Sequence, residues 1–263
     1  MNWLVARAFA TPIAIIITMM RHLRAHIGLS LALALIYLPA MADTAPRVLN
    51  AAYLNFPPLA YTDHQGNPAG EMIELSNRIA AEAGVSLIWK EYPINRIYRN
   101  LGTGEIDFWP GSQAVPALSD TTLETGPLDV TIKLCAYARE GTPMVSSTLD
   151  LGDARLILIR GYTYRDQLDY LFENSSSMPI VAPNHIAALQ LLEKDRGDYL
   201  IHFAQPFEEA LKVYPVANLH CNLLHEWPLA LVISRQTPQA RELVESLQGA
   251  YERIRSHDLA EVE

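Results

Sequence analysis

Cysteine and basic residues are scarce in this sequence. Two of its 263 residues are cysteine, too few for a disulfide-framed scaffold or a four-thiolate zinc site. Lys and Arg number 20 against 29 Asp and Glu, a formal net charge of −9. This acidic balance argues against nucleic-acid binding, which needs a basic face. Half of the residues are hydrophobic, so the chain can form a core and is not intrinsically disordered.

Common catalytic motifs are also missing. The sequence contains no Gly-x-Ser-x-Gly, no His-Glu-x-x-His and no phosphate-binding glycine-rich loop. Among the carboxylates, Glu71 and Glu74 suit the acidic first turn of a helix, and Asp107 suits a strand end. These patterns favour a protein that is not an enzyme and that uses no cofactor.

The first 42 residues contain no Asp or Glu. A basic run at 21–26 precedes an apolar run at 27–38 and a small-x-small site at 40–42, the order of a secretory signal peptide. The apolar run has 12 residues, whereas a membrane span needs about 20. We therefore predict that residues 1–42 are a cleaved signal peptide, with 1–18 as an upstream extension, and that the mature protein is periplasmic.

The mature chain alternates between the hydrophobic periods of strands and helices. Residues 47–53 predict a buried strand. Met72, Leu75 and Ile79 then follow at the spacing of one helix face, which Gly84 ends. The order of strand, helix and strand recurs in the second part of the chain, as in parallel sheets with helices on their faces. We predict an α/β fold with two Rossmann-like lobes, two hinge crossings and a ligand cleft between the lobes.

The predicted lobes divide the mature chain unequally. Lobe 1 comprises residues 43–130 and 225–263, and lobe 2 comprises residues 131–224. Crossings near 129–131 and 222–227 would let the lobes close over a ligand. Within lobe 2, a helix is expected near Tyr164 to Phe172.

Four motifs follow one another in the mature chain. They are NFPPLAYTD at 55–63 with Gly66 and residues 70–75, LGTGEID at 101–107, DLGDARL at 150–156 with GYTY at 161–164, and RGDYL at 196–200. In this order and spacing they resemble the periplasmic solute-binding proteins of family 3, associated with ABC importers for amino acids and other polar solutes. The resemblance covers nearly the whole mature chain and implies the periplasmic-binding-protein fold.

The resemblance also implies a function. The protein would capture a small polar or aromatic solute and deliver it to a membrane importer. Its partners would be the solute and an ABC permease or a sensor in the inner membrane, and it would act as a monomer. Two alternatives stay open: a sensory protein that presents its ligand to a membrane receptor, and a dehydratase-like enzyme on the same fold.

Two charged residues of the family's amino-acid binders have no counterpart here. Those binders carry an Arg in a Thr-x-x-Arg setting after the third strand, and an Asp after the fourth motif. Residues 111–120 contain no Arg, and residues 201–203 contain no Asp. Because a buried ligand charge without a partner costs on the order of several kcal/mol, we expect common zwitterionic amino acids to bind poorly in the usual pose.

Aromatic and polar residues take the positions that would line the cleft. Several have a simpler interpretation: Phe56 and Trp109 suit a core, His202 suits a hydrogen-bonded structural histidine, and Tyr162 and Tyr164 suit a solvated loop. The candidate ligand-binding residues are Tyr53, Phe56, Arg96, Trp109, Ser112, Tyr162, Thr163, Tyr164, His202 and Phe203.

Arg96 is the cation that the sequence favours for an anionic ligand group. It follows Pro93 at the start of a predicted helix, near the C-terminal end of the preceding strand. Open α/β sheets bind their ligands at that end. The simpler interpretation makes Arg96 a solvated helix residue beside Arg99.

Cys135 and Cys221 both fall in the predicted lobe 2. A disulfide between them is plausible in an exported protein. Two buried free thiols are an alternative. A metal site with His220 and His225 is a weaker one, because the spacing matches no standard zinc pattern.

Overall fold

A computed structural model describes residues 47–260, apart from the side chain of Asp166. The predicted signal peptide and the first residues of the predicted lobe 1 lie outside the described residues. The first part of the described chain contains β1 (Arg47–Tyr53), β2 (Tyr61–Thr62), β3 (Pro68–Ala69), α1 (Glu71–Glu82), β4 (Val85–Glu91), α2 (Ile94–Thr103), β5 (Phe108–Ser112) and β6 (Thr122–Glu124).

The second part of the described chain repeats the alternation of strands and helices. It contains β7 (Thr131–Arg139), β8 (Leu156–Ile159), α3 (Asp169–Asn174), β9 (Ile180–Ala182), α4 (His185–Glu193), β10 (Tyr199–Phe203), α5 (Ala204–Val213), β11 (Leu219–Ser234) and α6 (Ala240–Ala260). The sequence predicts a helix near Tyr164 to Phe172. The first part of this segment is instead a short 3-10 turn, Tyr164–Asp166, and α3 begins after it.

Nine strands form one mixed sheet in the order β4-β1-β5-β11-β7-β10-β8-β9, with β6 also on β11. In the first half of this sheet, β1 pairs in parallel with β4 and β5. In the second half, β8 pairs in parallel with β10 and β9. Each half is the parallel strand-helix-strand unit that the sequence predicts, and the protein has the two-lobe α/β fold.

The long strand β11 belongs to both halves of the sheet. Residues 219–228 pair antiparallel with β7, and residues 229–234 pair with β5 and β6. At the changeover, the Leu229 N–H donates to the Val130 carbonyl and the Leu229 carbonyl accepts from Leu128 N, both at 2.8 Å. Residues 222–227, predicted to form a hinge crossing, are therefore part of a strand that pairs with β7. The lobe boundaries stay a prediction.

Helix α1 covers one face of the first half. Met72 and Ile79 are buried, as the helical spacing predicts, together with Ile73, Ser76 and Ala80. The helix begins after Gly70, whose φ is 115°. A Cβ there would collide with the carbonyl oxygens of Pro58 and Leu59, so only glycine allows the loop after β1 to approach the start of the helix this closely.

Cys135 and Cys221 form a disulfide that links β7 to β11, with their Cα atoms 5.4 Å apart. Cys135 is buried in the core of the second half, and Cys221 lies on the exposed face. The bond closes a loop over a sequence separation of 86. It therefore removes considerable freedom from the unfolded chain.

None of the helices within residues 47–260 is both long enough and apolar enough to span a bilayer.

Replacing both Cys135 and Cys221 by Ala is expected to lower the free energy of unfolding by about 4–5 kcal/mol in the chain-entropy account. Urea denaturation of the parent and the double variant measures this difference. Reductant should bring the parent close to the variant and leave the variant unchanged. Equal stability of parent and variant under oxidising conditions would contradict the assigned role of the bond.

Candidate functional site

A cleft opens where the two halves of the sheet meet, beside the C-terminal ends of β1, β5, β8 and β10. The space between its walls is at most about 660 Å³, its open mouth included, which limits the occupant to a small molecule. Open α/β sheets bind ligands at the C-terminal ends of their strands. The wall contains residues from both halves: Tyr53, Leu54, Phe56, Leu59, Ala60, Met72, Ile94, Tyr98, Trp109, Pro110, Gly111, Ser112, Ile132, Tyr162, Thr163, Tyr164, Arg165, Phe203 and Leu229.

Eight of the ten candidate residues from the sequence line this cleft. The other two, Arg96 and His202, are not part of the wall. The eight are Tyr53, Phe56, Trp109, Ser112, Tyr162, Thr163, Tyr164 and Phe203.

Arg96 lies on the exposed face of α2, with its guanidinium 5.8 Å from the centre of the Tyr92 ring. This cation–π contact is typical of a surface helix residue, which is the simpler of the two interpretations of Arg96. Its assignment as an anion clamp stays a prediction. The cleft holds a different arginine, Arg165.

Three aromatic rings join the two halves across the cleft. Phe56, from the loop after β1, lies 5.2 Å from Phe203 at the end of β10 and 6.0 Å from Tyr162 after β8. Tyr162 and Phe203 are 5.7 Å apart. These centroid distances and tilted geometries are those that aromatic pairs prefer. The cluster gives the cleft an apolar wall made by both halves.

Trp109 belongs both to the core and to the wall of the cleft. Only 3% of its surface is exposed, and its ring makes an edge contact with Tyr98 at 5.6 Å. Its indole Nε1 is buried, with no hydrogen-bond partner among the described residues. The ring lies over Gly111, where an added Cβ would overlap its six-membered part. The absence of a side chain at Gly111 therefore sets the position of Trp109.

Gly111→Ala is expected to displace the Trp109 ring, because the new methyl group takes its place. Overpacking of this kind lowers the free energy of unfolding by about 1–3 kcal/mol. Tryptophan fluorescence and chemical denaturation measure the two effects. Gly102→Ala is the matched control, since a Cβ there makes only ordinary contact with Thr121. Parent-like stability and fluorescence in Gly111→Ala would contradict the assigned packing.

The loop after β8 brings several polar groups to the cleft. Tyr164 and Arg165 have φ values of 52° and 51°, the left-handed region that side chains rarely occupy. The buried Tyr164 hydroxyl holds this turn by accepting a hydrogen bond from Ile159 N at 2.6 Å. Burial raises the pKa of both Tyr162 and Tyr164 above the usual phenol range, so both hydroxyls stay neutral at physiological pH.

Arg165 is half-buried in the cleft wall and reaches across to the first half. Its Nη2 donates to the carbonyls of Gln113 at 3.0 Å and Ala114 at 2.6 Å. The guanidinium lies 4.7 Å from the centre of the Trp227 ring. Arg165 is not among the ten residues predicted from the sequence, although it directly follows Tyr164, which is.

His202 lies behind the aromatic wall and is 1% exposed. Its Nδ1 donates to its neighbour's carbonyl, Phe203 O, at 2.8 Å, because a carbonyl can only accept. Its Nε2 therefore accepts from His185 Nδ1 at 2.9 Å. Burial lowers the pKa of His202 to about 3, and the charge of His185 adds to this effect. Burial also lowers the pKa of His185. This geometry fits the structural-histidine interpretation.

The His202 pKa predicts a loss of stability in acid. A histidine titrates near 6.5 in the unfolded chain, but His202 stays neutral in the fold down to about pH 3. Its contribution is complete above pH 6.5 and declines as the pH falls toward 3. A fall from pH 7.5 to pH 5 should therefore lower the free energy of unfolding by about 2 kcal/mol through His202.

Urea denaturation at the two pH values tests this expectation. His202→Gln should reduce the difference between them, while the exposed His64→Gln serves as the matched control. A difference that is the same in all three proteins would show that His202 does not titrate on unfolding.

Within residues 47–260, no three or more His, Cys, Asp or Glu side chains are grouped to hold a metal ion. Asp107, the carboxylate predicted to lie at a strand end, accepts from Asn50 N at 2.9 Å and from the Thr237 hydroxyl at 2.8 Å. It thus ties β1 to the segment before α6.

The sequence model of the bacterial extracellular solute-binding proteins, family 3, matches residues 49–258. The chain belongs to this family. Membership of this solute-binding family points to a binding protein with a small-molecule ligand and a membrane partner, rather than to an enzyme. A comparison with curated protein sequences finds no match.

Solved structures of similar solute-binding folds include three informative neighbours. A histidine kinase sensor domain similar to periplasmic binding proteins is 19% identical, with a TM-score of 0.68 over 84% of this chain and 95% of that chain. An ancestral arginine-binding protein bound to arginine is 19% identical, with a TM-score of 0.64 over 81% and 94%. An ABC uptake substrate-binding protein from Streptococcus pneumoniae with bound histidine is 15% identical, with a TM-score of 0.63 over 79% and 86%. At these identities the similarity shows the fold.

Proposed function

We propose that this family 3 protein captures a small polar or aromatic solute in its cleft and delivers it to a membrane importer. The observation that carries the proposal is the cleft wall, to which both halves of the sheet contribute through Phe56, Tyr162 and Phe203. A ligand there contacts both halves at once. The ligand therefore favours the closed arrangement, because it makes more contacts there than in an open one.

Closure supplies the signal that a membrane partner reads. In the closed form, Arg165 of the second half donates to carbonyls of the first half. The Tyr162 hydroxyl similarly lies 3.5 Å from the Asn55 carbonyl. These bonds form only while the two walls are together, so they stabilise the liganded shape without choosing the ligand. Periplasmic location, a monomeric state and movement about the predicted crossings complete this proposal.

A sensory role is the second candidate. The sensor domain of a histidine kinase shares the fold over 84% of this chain, which supports a protein whose closed form is read by a receptor. The cleft serves both functions equally. Neighbouring genes for a permease and an ATPase would favour import, whereas a neighbouring sensor kinase would favour signalling.

A thermal-shift screen of residues 43–263 against a metabolite library tests ligand capture. A ligand at 100 times its Kd should raise the free energy of unfolding by about 2.7 kcal/mol, and small-angle scattering should show a smaller radius of gyration. Phe56→Ala should reduce both responses, whereas the exposed Val48→Ala should not. A ligand that stabilises the protein without compaction would contradict closure.

A further inference from the structure

Trp109 places an unpaired hydrogen-bond donor in the wall of the cleft. Its ring lines the cleft, and its buried indole Nε1 has no hydrogen-bond partner among the described residues. An indole N–H can only donate, and the great majority of buried donors in folded proteins are paired. A molecule that fills the cleft can supply the acceptor that the protein does not.

The side of the indole ring that carries Nε1 lies next to the cavity. The three ring atoms nearest to the place of a Cβ on Gly111 are Cη2, Cζ2 and Cε2 of Trp109. Because Nε1 is bonded to Cε2, these atoms and Nε1 follow one another along one side of the indole. Gly111 and the next residue, Ser112, both line the cleft, so the N–H belongs to the side of the ring that borders it.

The first half of the sheet holds this donor without help from the second half. Gly111, on the same strand as Trp109, sets the position of the ring, and Tyr98 of α2 makes an edge contact with it at 5.6 Å. Neither contact depends on closure of the cleft, since all three residues belong to the first half. A donor that is already in position loses little entropy when it binds an acceptor.

The other polar groups of the wall also favour a ligand that accepts hydrogen bonds. Within the described part of the chain, no Asp or Glu lines the cleft, so a ligand N–H finds no carboxylate there. Ser112, which is 6% exposed, and Thr163 contribute one hydroxyl from each half. Because a hydroxyl can donate as well as accept, both can add to a hydrogen bond from Trp109.

Aromatic side chains determine the shape of the space beside this donor. Phe56, Tyr162 and Phe203 form a connected surface, which favours flat rings through burial and edge or offset stacking. Resting on the proposed function, we propose that the occupant is an aromatic solute with a hydrogen-bond acceptor at the edge of its ring, and that Trp109 Nε1 donates to this acceptor.

Two fused-ring probes of similar size separate an acceptor from a donor. The ring nitrogen of quinoline only accepts at pH 7.5, and the N–H of indole only donates. In an NMR titration of the ¹⁵N-labelled protein, quinoline should bind at least about fivefold more tightly than indole, because its nitrogen pairs a buried donor that indole leaves unpaired. Indole that binds as tightly as quinoline, or quinoline that does not bind, would overturn the proposal.

Variants test the residue. Trp109→Phe keeps an aromatic ring but removes the N–H, so it should weaken quinoline at least about fivefold and change indole less than about twofold. Trp89→Phe is the matched control and should change neither, because Trp89 lies outside the cleft wall and its Nε1 donates to Asn77 at 2.9 Å. Equal losses of quinoline and indole in Trp109→Phe would mean that the ring supplies only shape, and the proposal would be wrong.

The indole N–H signal of Trp109 gives a second measurement that needs no variant. In the parent protein, this signal, identified by its proximity to the Tyr98 ring, should move downfield with quinoline and not with indole. It decides the question if Trp109→Phe does not fold. A signal that stays in place while quinoline binds would contradict the proposed hydrogen bond.

The metabolite screen separates failure of this inference from failure of the proposed function. If quinoline does not bind but another metabolite stabilises and compacts the protein, the ligand class is wrong and ligand capture stands. If no metabolite does so, ligand capture itself fails.

Discussion

The pairing of β11 with both halves of the sheet is the constraint on which the architecture depends. One strand of 16 residues carries the hydrogen bonds of β7 at one end and those of β5 and β6 at the other. Breaking it would cost many backbone hydrogen bonds at once. The two halves are therefore joined by a stiff element, and movement between them requires β11 to bend or twist. The cleft lies beside this strand, with Leu229 in its wall.

The chemistry of the cleft depends on the side chains that come together where β11 joins the two halves. Strands β1 and β5 run opposite to β8 and β10, and residues at or after the ends of all four line the cleft. Residues distant in sequence thus become neighbours there. Most of them are apolar or aromatic. In such surroundings the Arg165 guanidinium has a stronger electrostatic effect than it has in water.

Much of this arrangement can be predicted from the sequence, because hydrophobic period and glycine position report directly on local structure. The strand at 47–53 and the buried face of α1 follow from spacing. Eight of the wall residues follow from their places at or just after the ends of predicted strands. Arg165 could not be found this way. Its position depends on two consecutive left-handed residues, Tyr164 and Arg165, and neither is a residue type that signals such a turn. Arg96 satisfied the general rule about strand ends, but its helix directs it to solvent.

The pairing of residues 222–227 with β7 was also beyond local patterns. Residues 222–227 contain His225 and Glu226, which interrupt the apolar run that signals a strand. Their side chains are exposed while their backbone groups remain paired with β7. A partly solvated strand of this kind is fixed by its partner strand rather than by its own composition.

The contact between Trp109 and Gly111 has a consequence for how the family can diverge. Two positions on one face of β5 share a single volume, which the indole ring fills entirely. A relative with a larger residue at position 111 must carry a smaller one at position 109, because both cannot occupy that space. The two positions should therefore change together, and a lineage that exchanges the pair would reshape the cleft wall in a single step.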